Sequence, residues 1–208
     1  MIKPCLFILT LLSVVLMTMG CQAGSAERKA KAADVSAKAP ANQPGERRGT
    51  LQLPLANPKI VVKKSQRQLL LFAGDKLLRT YHIGLGSSPS GDKVREGDRR
   101  TPEGDFYIFT KNDKSAYYLS LGISYPNALH AERGLRDGLI TRAQYEAITG
   151  ALRAKKRPPQ NTLLGGDIYI HGNGAQSDWT WGCVALENED IRELFEVVSV
   201  GTPVRIEP

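Results

Sequence analysis

The 208-residue sequence predicts a mainly β domain carrying a partly helical insertion, and three observations lead there. Short runs rich in branched and aliphatic residues recur from Lys59 to the C-terminus, separated by Gly, Asp, Asn and Pro turns. Only two stretches in that span carry a helical period. The first fifty residues read as a targeting segment and a tether, leaving 51–208 as one domain, long enough to bury about 70% of its unfolded-chain surface.

Met1–Gly20 reads as a signal peptide. Lys3 supplies the charge, and Leu6–Met19 is an uncharged run of 14 residues, within the roughly 7–15 of an export h-region and short of the ~20 that span a bilayer. Gly20-Cys21 resembles the end of a bacterial lipobox, which makes Cys21 the lipidation candidate, although Thr18 and Met19 depart from the usual pattern. By the same resemblance, Gln22 after the cysteine directs the protein to the outer membrane. The expected location is the periplasm, with a lipid anchor at Cys21. Residues 21–50 read as a disordered tether: from Gln22 to Thr50 there is one Val and no aromatic side chain to offset chain entropy.

Lys59–Lys63 and Arg67–Phe72 open the β pattern, and Ala73-Gly74-Asp75 turns the second run into Lys76–Ile83. Gly104–Thr110, Ala116–Leu121 and Asp167–His171 have the same character, and Pro203–Ile206 closes the domain as a last strand. Thr141–Ala154 reads as a helix, opened by a Thr141/Gln144 capping box and stopped by Pro158-Pro159. Asn188–Val198 is the second helix. Asn188 is expected to cap it, Glu189 and Asp190 complement its dipole, and Ile191, Leu194, Phe195 and Val198 form its apolar face. Residues 125–161 are expected to be the insertion.

Composition narrows the function classes. The chain has 28 basic and 21 acidic residues, a formal charge of +7, but six basic residues against three acidic ones lie in 22–50. Residues 51–208 keep 21 basic against 18 acidic, so the fold itself is only mildly cationic. With export and without a basic helix interleaved with aromatics, nucleic acid is excluded as a partner. The basic tail either contacts an anionic envelope surface or is a solvated linker.

Of three cysteines, only Cys183 lies in the folded span. It has no partner there for a disulfide, which leaves a buried small hydrophobe or a reactive nucleophile. Its neighbours point to the nucleophile. Gly182 places it at a tight turn where backbone N–H groups can face an oxyanion, and a short apolar run leads from it into the last helix. His171 ends a strand-like run beside Gly172, Asn173 and Gly174, where an imidazole is exposed to a cleft. Such a partner is needed because the thiolate, not the thiol (pKa ~8.5), is the nucleophile.

These residues carry a resemblance. Thr101-Pro102-Glu103-Gly104-Asp105-Phe106 is similar to the T-P-x-G-x-F motif of the L,D-transpeptidase catalytic domain family (YkuD-like). His171-Gly172 followed by Trp181-Gly182-Cys183-Val184 resembles that family's H-G…[S/T]-H-G-C-[I/V] signature, and the match spans about Lys59–Glu207 in order. The resemblance implies a sandwich- or barrel-like β domain with a short helix after the nucleophile, acting on peptidoglycan. It implies Cys183 as nucleophile and His171 as base, with the backbone of Gly182 and Cys183 at the oxyanion. A thioester would form at the L-centre of meso-diaminopimelate and pass to an acceptor amine, with no metal or cofactor. Gly172, Asn173, Trp181 and His130 are substrate-binding candidates.

Trp181 and Ala185 stand where many members have His and Arg. The tryptophan context, Tyr125-Pro126-Asn127 and the insertion resemble a murein-processing branch that includes a hydrolase, which releases an outer-membrane lipoprotein from peptidoglycan. Hydrolysis is therefore the alternative reaction, with a stem peptide, a lipoprotein or another acceptor amine as partner. A non-catalytic peptidoglycan-binding lipoprotein is the alternative of another class. Gly84–Lys93 lacks the spacing of a phosphate loop. His82, His130, His171 and Cys183 lack the close spacing of zinc ligands. Asp178 reads as a solvated loop carboxylate, and Trp179 is as suited to packing as to substrate contact.

Overall fold

The structure, a computed structural model, describes residues 49–208. The predicted signal peptide, Cys21 and nearly all of the tether lie outside the described residues. Eight strands and three helices follow in the order β1 (Pro58–Lys63), β2 (Gln68–Ala73), β3 (Lys76–His82), β4 (Gly104–Ser115), β5 (Tyr118–Ile123), α1 (Ala128–Arg136), α2 (Arg142–Arg153), β6 (Tyr169–His171), β7 (Val184–Ala185), α3 (Asn188–Val197) and β8 (Pro203–Glu207). The domain is mainly β, as the sequence predicts.

The strands form one sheet in the order β3-β2-β1-β8-β4-β5-β6-β7. Pairing is antiparallel except at β1–β8 and β6–β7, which are parallel. Strand β4 serves two partners: Gly104–Tyr107 lies against β8, and Ile108–Ser115 against β5. Register shifts after Ile108 and Asn112 add local twist there. Beyond β3, Gly84 and Ala185 exchange both backbone hydrogen bonds, at 2.9 and 2.8 Å, and Gly86 bridges Thr180. The chain leaving one edge of the sheet thus meets the other edge, giving a barrel-like curl.

Alternation along the strands fills its interior with Ile60, Val62, Leu69, Leu71, Ile108, Leu121, Ile123, Ile170 and Val184. Helix α3 covers this core with Ile191, Leu194 and Val197. Its last carbonyls, of Phe195 and Val198, accept from the Lys111 ammonium of β4 at 2.5 and 2.9 Å. The N-terminus of α3 corrects an expectation. Glu187, not Asn188, is the cap residue and makes no side-chain cap bond. The Asn188 amide oxygen instead accepts the Asn173 N–H at 2.9 Å, tying the helix to the loop after β6.

The insertion forms a separate small core from Ala131, Ile140, Ile148 and Leu164. Helix α2 opens with the expected Thr141/Gln144 capping box. Helix α1 was not expected, because Gly134 weakens the helical signal within it. The glycine is needed there: a Cβ would lie 2.8 Å from Leu164 Cδ2. Asp92 fastens α1 to the loop between β3 and β4, accepting from Arg133 at 2.8 Å and from the Glu103 N–H at 2.7 Å, with His130 Nε2 3.0 Å away.

Candidate active site

The shortest strand positions the chemistry. β7 has two residues, and its parallel pairing sets Ile170 beside Val184 and His171 beside Ala185. Continued by one residue, that register sets Cys183 beside Tyr169, so Cys183 and His171 lie on adjacent strands two positions apart and face the same side. β6 and β7 are adjacent although Cys183 follows His171 by twelve positions, and the intervening loop is fixed at several points. Gly174 N–H donates to the Leu186 carbonyl at 2.9 Å, and Glu187 accepts from Ala175 N–H at 2.9 Å. Asp178 accepts from Arg67 at 2.6 Å and from the Leu85 N–H at 2.9 Å, so it is a loop anchor and not the solvated carboxylate expected.

His171 is 3% exposed, and its Nδ1 lies 2.8 Å from the Gly172 carbonyl. A carbonyl only accepts, so Nδ1 carries the proton and Nε2 keeps its lone pair. The imidazole is flanked by Tyr117 (centroids 4.7 Å, interplanar 30°) and Trp179 (5.6 Å, 66°). Trp179 Nε1 donates to the Gly174 carbonyl at 3.1 Å. Burial lowers the pKa of His171, partly offset by the Gly172 bond. Cys183 is a free thiol, pushed up to about 11 by burial and by the charge of Asp167, against the Tyr169 N–H and Lys93. At rest both members of the dyad are therefore neutral near pH 7. Sγ lies 3.5 Å from the Asp167 carbonyl and 3.4 Å from the Tyr169 N–H. The expected direct thiol–imidazole hydrogen bond is not the resting contact of this thiol. Such bonds commonly tighten only when substrate closes the site.

The turn that carries Cys183 is held by two threonines, Thr180 and Thr101, whose part in it local sequence does not reveal. Thr180 Oγ1 accepts from the Gly182 N–H at 3.1 Å and donates to the Cys183 carbonyl at 2.8 Å. Thr101 Oγ1 accepts from the Gly86 N–H at 3.0 Å and reaches the same carbonyl at 3.5 Å. Both side chains are buried. Gly182 has φ +131°, and a Cβ there would lie 2.7 Å from the Arg100 carbonyl, which fixes its identity. Its N–H is donated to Thr180 Oγ1 and so is not free for the oxyanion contact expected of Gly182.

The remaining expected site residues separate clearly. Trp181, two residues before Cys183, is 70% exposed, with the Arg99 guanidinium 4.8 Å from its ring centroid. Gly172 supplies the carbonyl under His171, and a Cβ on it would meet Asn188 Oδ1 at 2.5 Å. Asn173 is an exposed loop residue with φ +73°. His130 is corrected as a substrate-binding candidate: it is 2% exposed, with Nδ1 2.6 Å from Asn127 Oδ1 and Nε2 near Asp92, between Phe106 and Tyr125. His82 is an exposed residue of β3 paired with Gln68. No cluster of three or more His, Cys, Asp or Glu suited to a metal occurs among the described residues.

Comparison with known proteins identifies matches over this same span. The family described as YkuD, the L,D-transpeptidase catalytic domain, matches residues 57–206. Among curated proteins, "Putative L,D-transpeptidase YafK" of Escherichia coli (strain K12) is 30% identical over 147 residues, covering 67% of this chain and 46% of YafK. The chain thus spans about half the length of the curated relatives it matches. Among solved structures, the helical cell shape determining protein Pgp2 (K307A mutant) of Campylobacter jejuni is 22% identical and has a TM-score of 0.48, covering 78% of this chain and 51% of its own. Bdellovibrio bacteriovorus Bd1075 is also 22% identical, with a TM-score of 0.46 and coverage of 74% and 48%.

Two outcomes follow from the site geometry. Thr180→Val leaves the Gly182 N–H unpaired and the Cys183 carbonyl with only the 3.5 Å contact to Thr101, and is expected to cost about 2 kcal/mol in chemical denaturation, with Thr180→Ser recovering most of it. The second is a pH profile. The native state holds the Cys183 proton to about 11, against an ordinary 9.0, so alkylation by iodoacetamide should climb between pH 9 and 11 with no plateau near neutrality. Across that window the native state binds more protons than the unfolded one, so stability falls as pH rises, and Cys183→Ala removes this contribution.

Proposed function

The chain belongs to the L,D-transpeptidase catalytic domain family, and from that premise we propose that it acts on peptidoglycan stem peptides through a thioester on Cys183. The single observation that carries this reading is the Nδ1-to-Gly172 carbonyl bond of His171, which leaves a basic Nε2 on the strand beside the cysteine. In the proposed reaction, Nε2 takes the Sγ proton as the thiol attacks the carbonyl at the L-centre of meso-diaminopimelate. The Cys183 N–H faces the oxygen as negative charge develops on it. The C–N bond breaks, and the imidazolium returns its proton to the departing amine, the terminal D-amino acid. An acceptor amine then attacks the thioester, gives a proton to Nε2 and releases the product, with the thiol restored from the imidazolium.

Burial gives this sequence a reason. A neutral thiol and a neutral imidazole avoid the cost of a resting ion pair in an apolar setting, and charge appears only as the bond forms. Export through Leu6–Met19 and anchoring through a lipid at Cys21 complete the proposal, since the substrate lies outside the cytoplasm. The nature of the acceptor divides transpeptidation from hydrolysis, in which water takes the amine's place and a cross-link or a peptidoglycan-linked lipoprotein is cut.

Incubating the full chain with disaccharide tetrapeptides, with and without a diaminopimelate-bearing acceptor, and reading products by mass spectrometry tests this. The expected result is an exchanged or cross-linked product in the presence of acceptor, with turnover at least 1,000-fold lower in Cys183→Ala. Undiminished turnover in that variant contradicts the reading. Water-derived product alone, with acceptor present, selects the hydrolase.

A further inference from the structure

Two residues before the nucleophile, the most exposed aromatic side chain among the described residues, Trp181, is covered on one face by the guanidinium of Arg99 at 4.8 Å. Resting on the activity proposed above, we infer that Arg99, stacked on Trp181, is the receptor for a carboxylate of the stem peptide. Three observations support this.

First, the guanidinium is in reserve. Among other cations of the domain, Lys93 pairs with Asp98 at 2.8 Å, Arg133 with Asp92 at 2.8 Å, Arg157 with Asp167 at 2.8 Å and Arg67 with Asp178 at 2.6 Å. Arg99 has no carboxylate partner among the described residues, and its side chain is exposed. A guanidinium held over an indole face can still offer a carboxylate the planar N–H fork that it accepts bidentately.

Second, the backbone is committed to this placement. Arg99 has φ +59°, a conformation uncommon for a residue with a Cβ. It is held there on both sides. Asp98 accepts from the N–H groups of Val94, Arg95 and Arg100 at 2.7, 3.0 and 3.0 Å, and the Arg99 carbonyl accepts from the Ser88 N–H at 3.1 Å. A Cβ on Gly86 would lie 2.1 Å from that carbonyl, so the loop fits only against glycine.

Third, the pair belongs to the nucleophile turn. The Arg100 carbonyl packs on Gly182, and two residues of backbone span at most about 7 Å between Trp181 and Cys183. A peptide whose carbonyl reaches Sγ brings its nearest carboxylates to the same lip of the site. In a diaminopimelate tetrapeptide these are the C-terminal carboxylate of the leaving residue and the side-chain carboxylate of diaminopimelate.

The test measures binding, so that it stands apart from turnover. In the full chain carrying Cys183→Ala, the dissociation constant of a tetrapeptide with both carboxylates free is compared with and without Arg99→Gln. The same comparison is made for two peptides, one amidated at the C-terminus and one amidated on the diaminopimelate side chain. Arg99→Gln is expected to weaken the free acid about tenfold, as for loss of a charge-assisted hydrogen bond at a partly exposed site. The effect should vanish on the amide that lacks the recognised carboxylate and persist on the other, which names the source. An equal effect on all three peptides, no effect on the free acid, or no binding of the free acid by the Cys183→Ala chain overturns the inference. Failure of turnover with intact, Arg99-dependent binding overturns the proposed activity alone.

Discussion

The carbonyl of Cys183 accepts hydrogen bonds from hydroxyls supplied by two separate parts of the chain, Thr180 within its own loop and Thr101 at the entrance to β4. Both hydroxyls are buried and each is donor and acceptor at once, so neither can turn away without leaving a backbone N–H unpaired. This fixes the peptide plane that follows Cys183 and the start of β7. From there the parallel pairing with β6 places His171, the Gly84 bridge brings the sheet edges together, and Arg100 packs on Gly182. It also gives a physical reason for two motifs eighty residues apart to occur in one chain: Thr101 of one touches Cys183 of the other.

Desolvation sets the electrostatic character of the site. Both members of the dyad are shifted toward their neutral forms, the thiol upward and the imidazole downward, and burial is the largest cause in each case. Tyr117 and Trp179 flank the imidazole, and the Gly172 carbonyl selects its tautomer. In the proposed reaction, proton transfer from sulfur to nitrogen coincides with attack on a carbonyl. The charged groups that do persist, Asp92, Asp98 and their partners, brace the loop between β3 and β4. In Asp92, burial favours the neutral acid, but His130, the Glu103 N–H and Arg133 outweigh it and hold the carboxyl well below its usual range. Through Asp92, the insertion steadies the loop that carries Arg99 and Thr101, which links a peripheral pair of helices to the Cys183 turn.

Most of the sheet is legible in the sequence because apolar alternation and turn residues mark β1, β2, β3 and β8 directly. The Thr141 capping box likewise predicts α2 from purely local chemistry. What escapes is tertiary. β7 is only two residues long and exists because β6 and Gly84 flank it, and α1 contains Gly134 to admit Leu164. Cys183 and His171 are recognisable from their glycine neighbours and order. Their supports are not, since Thr180 is one hydroxyl among many until Gly182 and Cys183 fold around it. His130 misleads for the converse reason: a histidine in an insertion looks available, whereas Asn127, Asp92, Phe106 and Tyr125 enclose it. The Asn188 amide illustrates competition between local and distant partners, giving up the helix end for the Asn173 N–H.

The most direct measurement is the intact mass of the full chain after brief exposure to a disaccharide tetrapeptide and acid quench. The account predicts an adduct equal to the mass of the muropeptide less that of one free D-alanine, mapping to Cys183 and released by hydroxylamine. Product formation with Cys183 unmodified at every time point, while Cys183→Ala remains active, would contradict it.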